Sequence, residues 1–170
     1  MINELLDIVD GHDRVIGQKY KTEVYQQQLK NFRVINAFLL NNKKEVWIPR
    51  RSPQKMLFPL CLDASVGGHV ITGETYTQAF GRELHEELNI KLNEVKYRFI
   101  AKLNPYQHNT SAYMHMYLIY TNTDPQYGTD EFISASWITI SKLQKKIQCG
   151  EKTKSDLPIL INVLQNFLLI

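Results

Sequence analysis

Cysteine is scarce in this chain: among 170 residues only Cys61 and Cys149 carry a thiol. That number excludes a disulfide-built fold, and the pair lacks metal-ligand spacing. A cytoplasmic protein with free thiols is the expectation, and neither sulfur is assigned a catalytic role. Excess charge of one sign is lacking too. The formal net charge of +3 is too small to point to nucleic acid. No apolar run is long enough to span a bilayer, so no membrane partner is expected. The opening stretch, residues 1–13, is acidic and has no basic region of the kind that begins a signal peptide. Repeats, low-complexity tracts and linkers are missing as well. The chain, 44% hydrophobic, is therefore read as one domain spanning 1–170 with a sizeable core.

What is present reads as alternating strands and helices. Leu5–Val9 and Arg14–Gln18 flank a turn at Asp10–Asp13, which predicts a β-hairpin within an N-terminal extension of residues 1–30. Thr22–Leu29 reads as a short helix. Phe32–Leu40 and Glu45–Arg51 read as strands joined at Asn41–Lys44, and Ser52–Pro59 as a loop bracketed by prolines. Further strands are expected at Tyr97–Leu103, Ser111–Thr121 and Phe132–Ile138. A helix is expected over Ser141–Lys146 with Ser141 as its N-cap. A last helix over Pro158–Leu169, with Asp156 as cap, lies in a terminal segment of residues 156–170. The fold class is α/β (α+β), in layers.

The stretch from Gly68 to Ile90 organises the rest. Tyr76–Leu88 has no proline, and Ala79, Phe80, Leu84 and Leu88 recur near helical period. On that helix Glu83, Glu86 and Glu87 stand at i, i+3 and i+4 and share one face. Like charges so placed weaken a bare helix. A divalent cation removes the repulsion, and hard oxygen ligands suit Mg²⁺, with Mn²⁺ as the alternative. Taken alone, three glutamates more often mean a solvated acidic face. The flanks shift that balance. Gly67-Gly68 suits a tight turn and a close backbone approach. Arg82 is placed to pin a carboxylate through a bidentate pair. Asn89 stands where a left-handed helix cap belongs.

The segment resembles the Nudix box, G-x5-E-x7-R-E-U-x-E-E-x-G-U, where U is a bulky apolar residue. Gly68, Glu74, Arg82, Glu83, Leu84, Glu86, Glu87 and Ile90 match in register, and Asn89 replaces a glycine. The resemblance implies a Nudix fold, a mixed sheet sandwiched between helices, and a box at residues 68–90. It implies Glu83, Glu86 and Glu87 as metal ligands, with a backbone carbonyl near Gly67-Gly68 added, and Arg82 and Glu74 orienting them. The implied reaction is attack of water on a diphosphate. A box glutamate or Glu131, in the later loop Gly128–Glu131, is the candidate base. Arg50 and Arg51 end a strand before the box and, with Lys55, are candidates for substrate phosphate. The expected partner is a small-molecule diphosphate, with homodimerisation left open.

Outside the box, Asp7–Asp10, Val15–Gly17, Arg50–Ser52, Lys55, Pro59 and Asp63–Val70 resemble the isopentenyl-diphosphate-isomerase-like branch of the superfamily. True isomerases carry a catalytic cysteine at the position of Gly67. His69 matches one of their metal-binding histidines, but Ser111–His115 lacks their carboxylates. A hydrolase is therefore expected. An isomerase-like enzyme and a non-catalytic nucleotide-binding Nudix domain are the alternatives. Trp47, Tyr106, Tyr113 and Tyr117 are read as core rather than base-stacking residues.

Overall fold

The computed structural model describes residues 3–169. The strands are β1 (Leu5–Val9), β2 (Val15–Tyr20), β3 (Arg33–Leu40), β4 (Glu45–Arg51), β5 (Val66–His69), β6 (Lys96–Leu103), β7 (Tyr113–Tyr120) and β8 (Phe132–Thr139). The helices are α1 (Lys21–Gln26), α2 (Tyr76–Leu88), α3 (Pro105–His108), α4 (Ile140–Gln148) and α5 (Leu157–Leu168). The six-stranded sheet runs β6-β7-β3-β4-β8, and β5 pairs β3. Only β3 and β7 run parallel; the other pairings are antiparallel. No helix among the described residues is long and apolar enough to cross a membrane.

Side chains alternate along β3 and so feed two cores. Ile35, Ala37 and Leu39 pack with Ala79, Phe80, Leu84 and Leu88 of α2. Phe38 and Leu40, with Met114, Met116 and Leu118 of β7, pack under Leu143 of α4 and Leu157, Leu160, Ile161 and Leu164 of α5. This is the expected mixed sheet between helices. Each large apolar side chain so buried contributes about 1.5–3 kcal/mol.

The hairpin β1–β2 forms its own two-stranded sheet. It docks through Leu6 and Ile8 against Val24, Phe32 and Ala112. Its turn is fixed by Asp13, which is buried. Arg33 Nε donates to Asp13 Oδ1 at 2.7 Å, and Lys102 Nζ lies 2.8 Å from Oδ2. The Tyr76 hydroxyl donates to the same carboxylate at 3.1 Å. Burial alone would raise the Asp13 pKa, but the hydrogen bonds from Lys102 and Arg33 hold it below the usual carboxylate range. Tyr76 also stacks on His115, with ring centroids 3.6 Å apart, which ties the start of α2 to β7.

Three details differ from the sequence reading. Gly67 and Gly68 are not a turn but the middle of β5, opposite Asn36 and Ile35 of β3. The cap of α4 is Thr139, whose side chain accepts from the Lys142 amide, and not Ser141. Asp156 does occupy the N-cap position of α5, yet its carboxylate makes no cap bond. It accepts from the Ser111 amide at 2.9 Å instead. In the first two cases local sequence offers a turn or a second hydroxyl of equal quality, and tertiary pairing decides. Met1, Ile2 and Ile170, the outermost residues of the two expected terminal segments, lie outside the described residues.

Candidate active site

Helix α2 spans the residues expected of it, Tyr76–Leu88. Thr75 caps its start, accepting from the Gln78 amide while the Gln78 side chain reaches back to the Thr75 amide. Asn89 ends it in the left-handed conformation, φ 54° and ψ 34°. With both ends fixed and one face in the core, the adjoining edge of the helix holds Glu83 and Glu87 against β5.

Gly68 is what permits this. A Cβ at that position would collide with the Glu83 carboxyl group. The absent side chain is therefore the space that Glu83 fills, and Glu83 is buried. Gly67, next in the strand, donates its amide to Glu87 Oε2 at 3.1 Å. The close approach expected of the glycine pair is present, in a strand rather than a turn.

Arg82 gathers the carboxylates. Its Nε and one terminal nitrogen grip Glu74 at 2.8 and 2.9 Å, the expected bidentate pair. The latter nitrogen also donates to the His69 carbonyl at 2.8 Å. The other terminal nitrogen reaches Glu83 at 2.8 Å and Glu86 at 3.3 Å. Glu74 additionally accepts from the Ile71 amide at 3.2 Å, so it buttresses the entry to the helix.

One guanidinium does not neutralise this set. Burial pushes the Glu83 carboxyl up to about 7 against the pull of Arg82. Burial raises Glu87 well above the usual range, and the Glu83 charge adds to that, opposed by the Gly67 amide. The charges of Glu131 and Asp63 raise Glu87 further. Glu86 is exposed. Among the described residues, no three His, Cys, Asp or Glu side chains converge as a metal-binding group. The cause is visible: Glu83 turns to Arg82, Glu87 to the Gly67 amide, and the exposed Glu86 to the outer side of Arg82. The donor set still fits a hard cation, because three carboxylates of one helix stand beside the β5 glycines with a single guanidinium among them.

The remaining candidates are placed as follows. Glu131 is ion-paired with Lys55. Arg51 pairs with Asp63 at 2.8 Å, and Arg50 pairs with Glu151 at 3.0 Å, so the two side chains leave β4 for different partners. His69 accepts or donates at 2.9 Å to the Tyr25 hydroxyl and stacks on Phe32. Burial lowers its pKa to about 3, so it is neutral. Trp47, Tyr113 and Tyr117 are buried, as expected, while Tyr106 is exposed. Sequence reasoning did not single out Asn36, Asp63 and Lys154, which surround Gly67 and Arg51 from the side of α5. Only Asp63 had a local signal, its place just before the glycine pair; Lys154 arrives from a distant loop.

Known proteins share this sequence and fold. Residues 30–158 match the NUDIX domain family. An uncharacterized Nudix hydrolase of Nostoc sp. is 49% identical over 160 residues, covering 94% of this chain and 95% of that relative. A Deinococcus radiodurans protein with a crystal structure superposes with a TM-score of 0.89 at 40% identity, over 94% of this chain and 98% of that one. Isopentenyl-diphosphate Delta-isomerase 1 of Photorhabdus laumondii is 27% identical over 152 residues, 85% of each chain.

Proposed function

The chain belongs to the Nudix family, and from that premise we propose a metal-dependent hydrolase that cleaves the diphosphate linkage of a nucleoside diphosphate-X or a related small molecule. The observation that carries this reading is the enclosure of Glu83 and Glu87 against the β5 glycines with too little positive charge beside them. Glu83, Glu86 and Glu87, with a backbone carbonyl at Gly67 or Gly68, would hold Mg²⁺ or Mn²⁺. Such a cation, when bound, polarises phosphate oxygens and acidifies water. Arg82 keeps Glu83 and Glu86 aimed at one place and is itself fixed by Glu74. Glu131 is the candidate to take the water's proton, once released from Lys55.

Double-bond migration asks for two opposed acid–base groups across a buried carbon unit. Gly67 has no side chain, and the matching stretch of β7 carries Tyr113, Met114 and His115 rather than carboxylates. The test is a panel of nucleotide sugars, dinucleotides, coenzyme A derivatives, nucleoside triphosphates and isopentenyl diphosphate, with Mg²⁺ and with EDTA. Expected is Mg²⁺-dependent phosphate or nucleotide release from at least one diphosphate, without dimethylallyl diphosphate. Catalytic isomerisation abolished by Glu87→Gln would overturn the hydrolase reading, as would turnover indifferent to EDTA.

A further inference from the structure

We infer that Lys154, beside Gly67, binds the diphosphate of the substrate; this rests on the hydrolase reading above. Alternation along β5 puts the missing side chains of Gly67 and Gly68 on opposite faces. On the α2 face the vacant place at Gly68 is filled by Glu83. On the α5 face a Cβ at Gly67 would lie 2.9 Å from Asn36 Oδ1 and 3.5 Å from Lys154 Nζ. The amide of the same Gly67 holds Glu87. One glycine thus has a carboxylate at its amide and an ammonium beside its missing side chain.

The ammonium has capacity to spare. Asp63 is buried and accepts from Arg51 at 2.8 Å and from the Ala64 amide at 2.8 Å. Lys154 Nζ stands 3.4 Å from the same carboxylate, beyond the usual length of a charge-assisted hydrogen bond. Arg51 and Lys154 thus share the one Asp63 carboxylate, and Arg51 holds the shorter bond. The Lys154 backbone is anchored, its amide donating to the Leu62 carbonyl at 2.9 Å, and its side chain is a quarter exposed (25%), so an entering anion can reach it. A diphosphate held at Glu83 and Glu87 carries more negative charge than one cation site offsets. Lys154 supplies the second positive group, at the place where a residue 67 side chain would otherwise begin.

The experiment is calorimetry with methylenediphosphonate, a diphosphate that cannot be hydrolysed, in Mg²⁺. Wild type should bind it, and Lys154→Met should bind roughly tenfold more weakly or worse, the effect of losing one hydrogen bond to a charged group. Lys154→Arg should recover most of the loss. Gly67→Ala, which crowds Asn36 and Lys154 without removing the charge, should weaken binding as well and covers the case of a poorly folded Lys154→Met. On any substrate found in the panel, Lys154→Met should raise KM far more than it lowers kcat. Equal affinity of wild type and Lys154→Met, or no binding by wild type, overturns the inference. Binding of the diphosphonate without turnover of any panel member would instead count against the hydrolase reading alone.

Discussion

Two groups of enclosed charge lie along α2, one at its start and one on its later turns, and their balance is opposite. At Asp13 two cations, Arg33 and Lys102, meet one carboxylate, and the carboxyl is held below its usual range despite burial. At Arg82 one guanidinium is shared by Glu74, Glu83 and Glu86, with Glu87 beyond its reach, and Glu83 is pushed up to about 7. The first group is complete and fastens the hairpin turn to the sheet. The second lacks positive charge and is the place where a cation would be stabilising. Burial alone does not separate structure from site; the sign of the uncompensated charge does.

The sharpest way to break this contrast is to neutralise one member of each group. Glu87→Gln, and likewise Glu86→Gln, should lower metal-dependent turnover about a thousandfold, roughly 4 kcal/mol of transition-state stabilisation, while the melting temperature holds or rises. Turnover at the wild-type rate would remove these residues from the ligand set. Asp13→Asn keeps a residue that tolerates the left-handed conformation there, φ 63°. It should nonetheless cost about 3 kcal/mol in urea unfolding, because Arg33 loses its partner in an enclosed place. An unchanged midpoint would show that the hairpin is fastened by its apolar contacts instead.

The titration of Glu83 separates the two groups by pH. A carboxyl raised in the folded state keeps a proton that the unfolded chain has released. Its contribution is therefore fully present below its unfolded value near 4.5 and is lost as pH rises through about 7. In EDTA, wild type should lose about 3 kcal/mol relative to Glu83→Gln over that interval. His69 and His115, both with lowered pKa values, act with the opposite sign but equally in the two proteins, so the difference reports Glu83 together with the part of the Glu87 shift that the Glu83 charge causes. Parallel stability curves for the two proteins would mean that Glu83 is not under strain. The smallest effect is expected at the helix end. Asn89→Gly should be neutral or stabilising by less than about 1 kcal/mol, since glycine adopts the left-handed conformation readily but loosens the unfolded chain. A clear loss in thermal unfolding would show that the Asn89 side chain makes a needed contact.

The glutamate group was legible in the sequence and the Asp13 group was not, for a physical reason. Glu74, Arg82, Glu83, Glu86 and Glu87 lie within one helix and its entry, so period 3.6 alone brings them together. Asp13, Arg33, Tyr76 and Lys102 come from a hairpin turn, two strands and a helix, and only the folded sheet joins them. The same holds for Arg51, Asp63 and Lys154. The glycine pair reads as a turn because neither residue has a side chain to show alternation; pairing with β3 makes it a strand. Strand and helix order elsewhere followed from hydrophobic pattern, with α2 and β4 correct to the residue. The short α3 and the brief 3-10 turn at Leu92–Glu94 carry too few residues to show a period.

The central claim is that the charge-deficient group, and not the completed one, receives a divalent cation. Titrating ¹⁵N-labelled protein with substoichiometric Mn²⁺ tests it directly, because the paramagnetic ion broadens the amide signals of residues around it. The account predicts that Gly67, Gly68 and Glu83 to Leu88 broaden first while Asp13 and Lys102 stay sharp, and that Glu87→Gln weakens the effect. Broadening centred on Asp13, or no selective broadening at all, would contradict it.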